Sequence, residues 1–238
     1  MDLKEGNILG SSIHRHWYYH SKAKAMVKLL KGVHPRKILD VGSGSAFFSR
    51  YLLAHTQAKE CWCVDISYLS DSIEIVDGKK INFQREIDAV DVNLVLLMDV
   101  LEHVDDDIGL LKAYMAKVPT GTKFLISVPA FQFLWSQHDI FLEHKRRYSL
   151  AQIELVAKKA GLKNIEGTYY FSLVFPIAIA IRLISKIFYG TSNVPKSQLK
   201  KHNWLVNKFL ALLCKAELLL ITRNRLAGLT AFCIAEKV

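Results

Sequence analysis

The residues best placed to do chemistry stand where a short apolar run stops. Lys37-Ile-Leu-Asp40-Val41 leads into Gly42-Ser43-Gly44-Ser45-Ala46-Phe47. Two glycines two apart let a backbone turn tightly and approach a ligand with no Cβ in the way. A phosphate-cradling dinucleotide turn would carry a third glycine where Phe47 stands. Here an acid sits two residues before the first glycine. An anion at that point suits an amino-bearing or cationic ligand better than a pyrophosphate. Asp65 follows Gly44 by 21 residues and closes the next apolar run. A carboxylate at that place can accept both hydroxyls of a ribose. Either acid alone could be a solvated strand-end carboxylate; the pair, together with the turn, points to a nucleoside-type cofactor.

A second group follows the apolar run Lys123–Val128. It comprises His138-Asp139, His144 and Lys145-Arg146-Arg147-Tyr148. Histidine titrates near neutrality and can take a proton. Arginine grips phosphate or carboxylate through two N–H groups. His138, His144 and Arg147 are expected at an acceptor site, whereas Lys145 and Arg146 read as a solvated basic pair before a helix. His14, His16 and His20 share helical spacing, yet no further ligand is identifiable, and no zinc site is expected there.

These groups need elements to hold them. The spacing predicts helices over 14–31, 47–55, 105–117 and from Ser149 to Ala160, with Gly161 as the stop. Short, nearly continuous apolar strands are predicted at 37–41, 61–65, 81–84, 92–98, 123–128, 164–170 and 229–236. Such strands alternating with helices imply a doubly wound α/β domain with a mostly parallel seven-stranded sheet, covered on both faces. Ligands of such folds bind beyond the carboxyl ends of the strands. Those ends are Asp40–Gly44, Asp65, Met98–Asp99 and Val128–Pro129.

The 238 residues suffice for a real core, with 51% hydrophobic and 23% charged side chains, which excludes disorder. Basic residues outnumber acidic ones 32 to 22, and the excess is uneven: 172–238 holds 10 basic and 2 acidic residues. That basic segment suggests an anionic partner. Cys61, Cys63, Cys214 and Cys233 form no disulfide framework and read as reduced, buried thiols of a reducing compartment. Nothing near the start resembles the apolar core of a secretion signal. The longest uncharged run, 167–181, has 15 residues and contains Pro176, short of the ~20 that a membrane span needs. Residues 172–228 read as an insert before the last strand, with two apolar helical stretches at 171–188 and 204–221. Arg182, Lys186, Lys200, Lys201, Lys208 and Lys215 form its basic stripe. Such helices fit an anionic membrane interface, a lid on the catalytic domain or a dimer contact.

Residues 37–129 resemble class I S-adenosylmethionine-dependent methyltransferases. KILDVGSGSAFFSRYL is similar to their glycine motif, CWCVDIS to the ribose-binding strand, and LVLLMDVLEHVDDD to the fourth strand and its continuation. FLWSQHDIFLEHKRRYSL resembles the W-S-x-H-D-x(4)-H-x-R-R-Y block of a bacterial subgroup placed with cell-envelope or polysaccharide biosynthesis. The resemblance implies a Rossmann-like fold and S-adenosyl-L-methionine as cofactor. It implies that Asp40, Gly42, Ser43 and Gly44 hold the methionine part, Asp65 with Ile66 the ribose side, and Met98 and Asp99 the adenine and sulfonium side. The family's third glycine is Ala46 here. A narrower likeness, to quinone-pathway O-methyltransferases, would make Asp99, Glu102 and His103 a metal set; the same spacing also serves helix capping, and no metal is expected.

The implied activity is methyl transfer to a small-molecule or lipid-linked acceptor by a cytoplasmic enzyme, peripheral on the inner face of the membrane. The domain would comprise 1–171 and 229–238. A non-catalytic cofactor-binding protein at a membrane is the alternative. A nucleic-acid methyltransferase is disfavoured, because neither an Asn/Asp-Pro-Pro-aromatic segment nor a Pro-Cys pair occurs.

Overall fold

The computed structural model describes residues 8–189, 197 and 203–238. An eight-stranded sheet organises the chain, in the order β3-β4-β2-β1-β5-β6-β8-β7. The chain enters through a 3-10 turn, Gly10–Arg15, and helix α1, Trp17–Leu29. Then come β1 (Lys37–Val41), α2 (Phe47–His55), β2 (Glu60–Val64), β3 (Ser72–Val76), β4 (Lys79–Gln84) and β5 (Leu94–Met98). Helix α3 (Asp107–Ala116), β6 (Lys123–Pro129), the short α4 (Gln137–Phe141), α5 (Leu150–Ala160) and β7 (Lys163–Tyr170) follow. Helices α6 (Phe175–Tyr189) and α7 (Trp204–Glu217) precede the last strand, β8 (Thr230–Glu236).

Strands β4, β2, β1, β5 and β6 run parallel, while β8 inserts antiparallel between β6 and β7. The parallel strands are buried on both faces, which is why their sequences are continuous apolar runs. Alternation divides them between two cores. Leu94, Leu96 and Met98 face α1 and α2 through Met26, Phe48 and Leu52. Val95 and Leu97 face α3 and α5 through Leu111, Ile153 and Ala157. Ser149 accepts from the Gln152 N–H at the start of α5, and Gly161 ends it at φ 105°, as their residue types predict.

The sheet has one strand more than the seven expected. Strand β3 pairs antiparallel with β4 around Asp77-Gly78, both at positive φ (51° and 72°). An Asp-Gly pair between alternating residues is a hairpin signal. It is easily passed over here because β3 is a solvated edge, with Ile73 and Ile75 exposed. The four cysteines are buried and unpaired, as expected.

Candidate functional site

The parallel register sets Val41 beside Val64 and Leu97, and Met98 beside Ser127. The segments after β1, β2, β5 and β6 therefore open on one edge. The crevice between β1 and β5 lies where the chain's winding reverses, the place where such sheets take ligands.

The turn after β1 is bound to β2. Gly42 and Ser43 both donate to the Val64 carbonyl, at 2.8 and 3.2 Å. Gly42 has φ 65°, and a Cβ there would stand 2.8 Å from Val100 Cγ2. Gly44 has φ 52° and Ala46 φ 57°. Alanine in place of the usual glycine costs about 1–2 kcal/mol in that left-handed conformation. Asp65 accepts from the Gly44 N–H at 2.8 Å and from the Ser67 N–H at 2.9 Å. The Tyr68 hydroxyl closes the turn, donating to the Gly44 carbonyl at 2.7 Å and lying 2.7 Å from Ser43 Oγ. Ile66, next to Asp65, is 83% exposed. Asp40 is buried, and Ser49 Oγ donates to it at 2.5 Å. Burial pushes its carboxyl up to about 6, against the opposing pull of Ser49. The turn thus brings together Asp40, Gly42, Ser43, Gly44, Asp65 and Ile66.

At the end of β5 lies a partner that the residues around the strand end do not announce. Asp99 has φ 57°, and Lys22 of α1 donates to both its carboxylate oxygens, to Oδ1 at 2.6 Å. Ser127 Oγ donates to Oδ1 at 3.2 Å. The lysine side chain is wholly buried, whereas that of Asp99 is 22% exposed. Burial would raise the Asp99 carboxyl, but Lys22 overrides it and holds it below the usual range. The signal was present in α1, where a lysine stands between Tyr18 and Met26 at four-residue spacing on the apolar face.

The block after β6 folds back over the segment that follows β5. The Lys145 N–H donates to the Glu102 carbonyl at 2.7 Å, and Arg146 donates to the carbonyls of Val104 and Asp105. Tyr148 donates to Asp107 Oδ2 at 2.8 Å. Lys145 also pairs with Asp105. These bonds set the His144 ring edge-on to that of His103, 4.8 Å away.

Behind His144, buried Asp139 takes its Nδ1 at 3.0 Å. Arg147 donates to the same carboxylate from Nε at 2.6 Å and from Nη2 at 3.0 Å, and to the Ala130 carbonyl at 3.1 Å. Burial opposes ionisation of Asp139, but His144 and Arg147 hold it well below the usual range. Arg147 was expected to grip an acceptor. Its guanidinium is instead buried and committed to Asp139, because an arginine inside the block must pair. His138 lies half-buried on α4, beside this cluster in sequence.

Glu102 is fully buried, and neither of its carboxylate oxygens has a hydrogen-bond partner. Burial, with Asp99 nearby, keeps its carboxyl well above the usual range. Burial and the neighbouring His144 lower His103 to about 4. Donor atoms of Glu102, His103 and His144 all lie within 4.8 Å of one another, a set able to hold a divalent ion. Asp99, engaged by Lys22, stands outside it.

The two insert helices behave differently. Phe175 of α6 packs its ring 5.5 Å from Phe131, and Arg182 turns inward to the Leu134 carbonyl rather than joining an outward stripe. Burial, with Arg147 nearby, lowers Arg182 to about 10. Helix α7 is fixed to the start of α1 by Asn207, whose amide accepts from the Trp17 N–H at 2.8 Å and donates to the Arg15 carbonyl at 2.9 Å. Its other side exposes Trp204, Leu205, Phe209 and Leu212. Lys208 lies 4.8 Å from the Trp204 ring centre. Lys200, Lys201 and the Lys186 side chain lie outside the described residues. No described helix is long and apolar enough to cross a membrane.

A family model for a methyltransferase domain matches residues 14–166. No curated protein matches the chain. The chain resembles a solved structure of Haemonchus contortus phosphoethanolamine N-methyltransferase 2 with S-adenosyl-L-methionine. The TM-score is 0.52 and the identity 18%, over 90% of this chain and 52% of that one. It thus spans about half the length of that enzyme. A methyltransferase in complex with the Haloferax volcanii Trm112 methyltransferase activator gives a TM-score of 0.54 and 15% identity, over 97% of this chain and 96% of that one. An S-adenosylmethionine-dependent methyltransferase from Archaeoglobus fulgidus gives 0.50 and 15%, over 89% and 93%. Likeness at these identities shows the fold alone.

Proposed function

The chain belongs to the methyltransferase-domain family, and from that premise we propose that it moves the methyl group of S-adenosylmethionine to a small-molecule or lipid-linked acceptor. One observation carries the reading. Asp40, the Gly42–Gly44 turn, Asp65 and Met98–Asp99 lie at neighbouring strand ends around one crevice. In this reading ionised Asp40 holds the donor's ammonium and Asp65 the ribose hydroxyls. Exposed Ile66 covers one face of the adenine. Met98 and Asp99 line the sulfonium side. A Haemonchus contortus methyltransferase of similar fold was solved with S-adenosyl-L-methionine, which supports the identity of the donor.

The acceptor enters from the side of the block after β6. His144 takes its proton at Nε2, since Nδ1 is committed to Asp139. The acceptor atom bonds to the methyl carbon while the sulfur leaves with its electron pair as a neutral thioether. Asp139 and Arg147 position His144, and His138 flanks the approach. The residues 172–228 divide the remaining work. Helix α6 covers the acceptor loop, and α7 rests on an anionic membrane face, its exposed apolar side chains inserting and Lys208 and Lys215 meeting headgroups.

Gly44→Val tests the donor site. The folded variant is expected to lose S-adenosylmethionine binding by calorimetry and release of S-adenosylhomocysteine; unchanged binding would remove the turn from the site. Lys208→Gln with Lys215→Gln tests the surface. Flotation on anionic vesicles at low salt should weaken by about 1 kcal/mol per lysine with donor affinity intact. A wild-type protein that ignores such vesicles would leave α7 as packing only.

A further inference from the structure

We propose that Lys22 is a specificity-determining residue that neutralises Asp99, and so sets how strongly the site distinguishes the cationic methyl donor from its neutral thioether product. This rests on the proposed donor site. A fully buried lysine is rare without a partner. Here the ammonium lies on both Asp99 oxygens, to Oδ1 at 2.6 Å, with the Tyr18 ring centre 5.5 Å away. The two side chains differ in access. Lys22 has no exposed surface, while Asp99, at the carboxyl end of its strand, keeps 22% of its own. A ligand in the crevice therefore meets the carboxylate, with the ammonium standing behind it.

That order has an electrostatic consequence. The donor carries a positive sulfonium, and after transfer the same sulfur is neutral. An unbalanced carboxylate in the crevice would favour the cation over the product and so bias the exchange toward the donor. The buried ammonium cancels most of that preference, because a pair 2.6 Å apart acts at longer range as a dipole. Asp99 stands at φ 57° just past the strand, and its carboxylate meets Lys22 of α1. Asp99 thus acts on the donor's charge only as far as Lys22 permits.

The test compares the affinities of S-adenosylmethionine and S-adenosylhomocysteine by calorimetry, with folding checked by thermal denaturation. In wild type the two should differ by only a few-fold. In Lys22→Met the preference for S-adenosylmethionine should rise by about tenfold or more, the scale of one uncompensated charge at a partly buried site. Lys22→Met combined with Asp99→Asn should return the ratio to the wild-type value. A purely structural lysine would weaken both ligands equally, so an unmoved ratio in folded Lys22→Met overturns the proposal. If Lys22→Met does not fold, Lys22→Gln carries the same test, an unmoved ratio overturning the proposal, with Lys22→Arg, which keeps the charge, and the double variant as controls. A Lys22→Arg ratio unlike wild type, or a double-variant ratio that still favours the cation, then overturns it. Failure of the wild type to bind either nucleoside would instead break the donor-site reading.

Discussion

The two parts of the sheet edge, the proposed donor half and the proposed acceptor half, are built in different ways. Apart from the Lys22–Asp99 pair, the donor half uses residues close together along the chain. Asp40, the glycine turn and Ser49 belong to one strand-turn-helix unit, and Asp65 closes it from the adjacent strand through the Gly44 N–H. The acceptor half is assembled across the chain. His144 meets His103, and Tyr148 reaches Asp107, over some forty residues of sequence. It is built round the buried Asp139–Arg147 pair, whereas the donor half is built round a turn, with the Lys22–Asp99 pair behind it. A local unit tolerates the loss of one side chain as a loss of affinity. A buried charge network answers the same loss with its fold, because a charge left behind has nowhere to go.

Asp139→Ala should show the largest effect. It strands the buried Arg147 guanidinium and frees the His144 ring. Chemical denaturation should record a loss of about 3–5 kcal/mol, the usual result of removing one partner of a buried pair. A loss within the surface range would mean that this pair does not hold the acceptor half together.

Asp65→Ala is the counterpart on the donor side. It should leave folding nearly intact and weaken donor binding by about 1.5–3 kcal/mol, the scale of charge-assisted hydrogen bonds. A 2′-deoxy donor should lose little more in the variant. Equal further losses in wild type and variant would place the ribose contact elsewhere.

Asp40 gives the smallest effect, and its sign can be stated. The carboxyl is raised from 3.8 to about 6, so the native state holds its proton more tightly than the unfolded chain does. Its contribution to stability is present below about pH 4 and is lost as the pH rises through about 6. The donor's ammonium needs the ionised form, so donor affinity moves the other way. Calorimetry should find binding about tenfold weaker at pH 5 than at pH 7, and Asp40→Asn should flatten that profile. A flat wild-type profile would take the ammonium off Asp40.

The insert repeats the contrast on a smaller scale. Both helices are apolar and basic in sequence, and periodicity alone treats them alike. Helix α6 sends Arg182 inward to the Leu134 carbonyl, while α7 leaves Trp204 at 68% exposure. Which face of an amphipathic helix finds protein depends on what the rest of the chain sets against it.

By itself the sequence determined the parallel core, its helices and the donor turn. Those features follow from neighbours along the chain: apolar runs buried on both faces, the Ser149 cap, the Gly161 stop, and glycines at φ values that side chains resist. The tertiary structure alone decided that Lys22 pairs with Asp99, that buried Arg147 pairs with Asp139, and that Glu102 is buried beside two histidines. A charged side chain has the same letter whether it is solvated or paired. Which of the two it is follows from burial, and burial is fixed by segments far away in sequence.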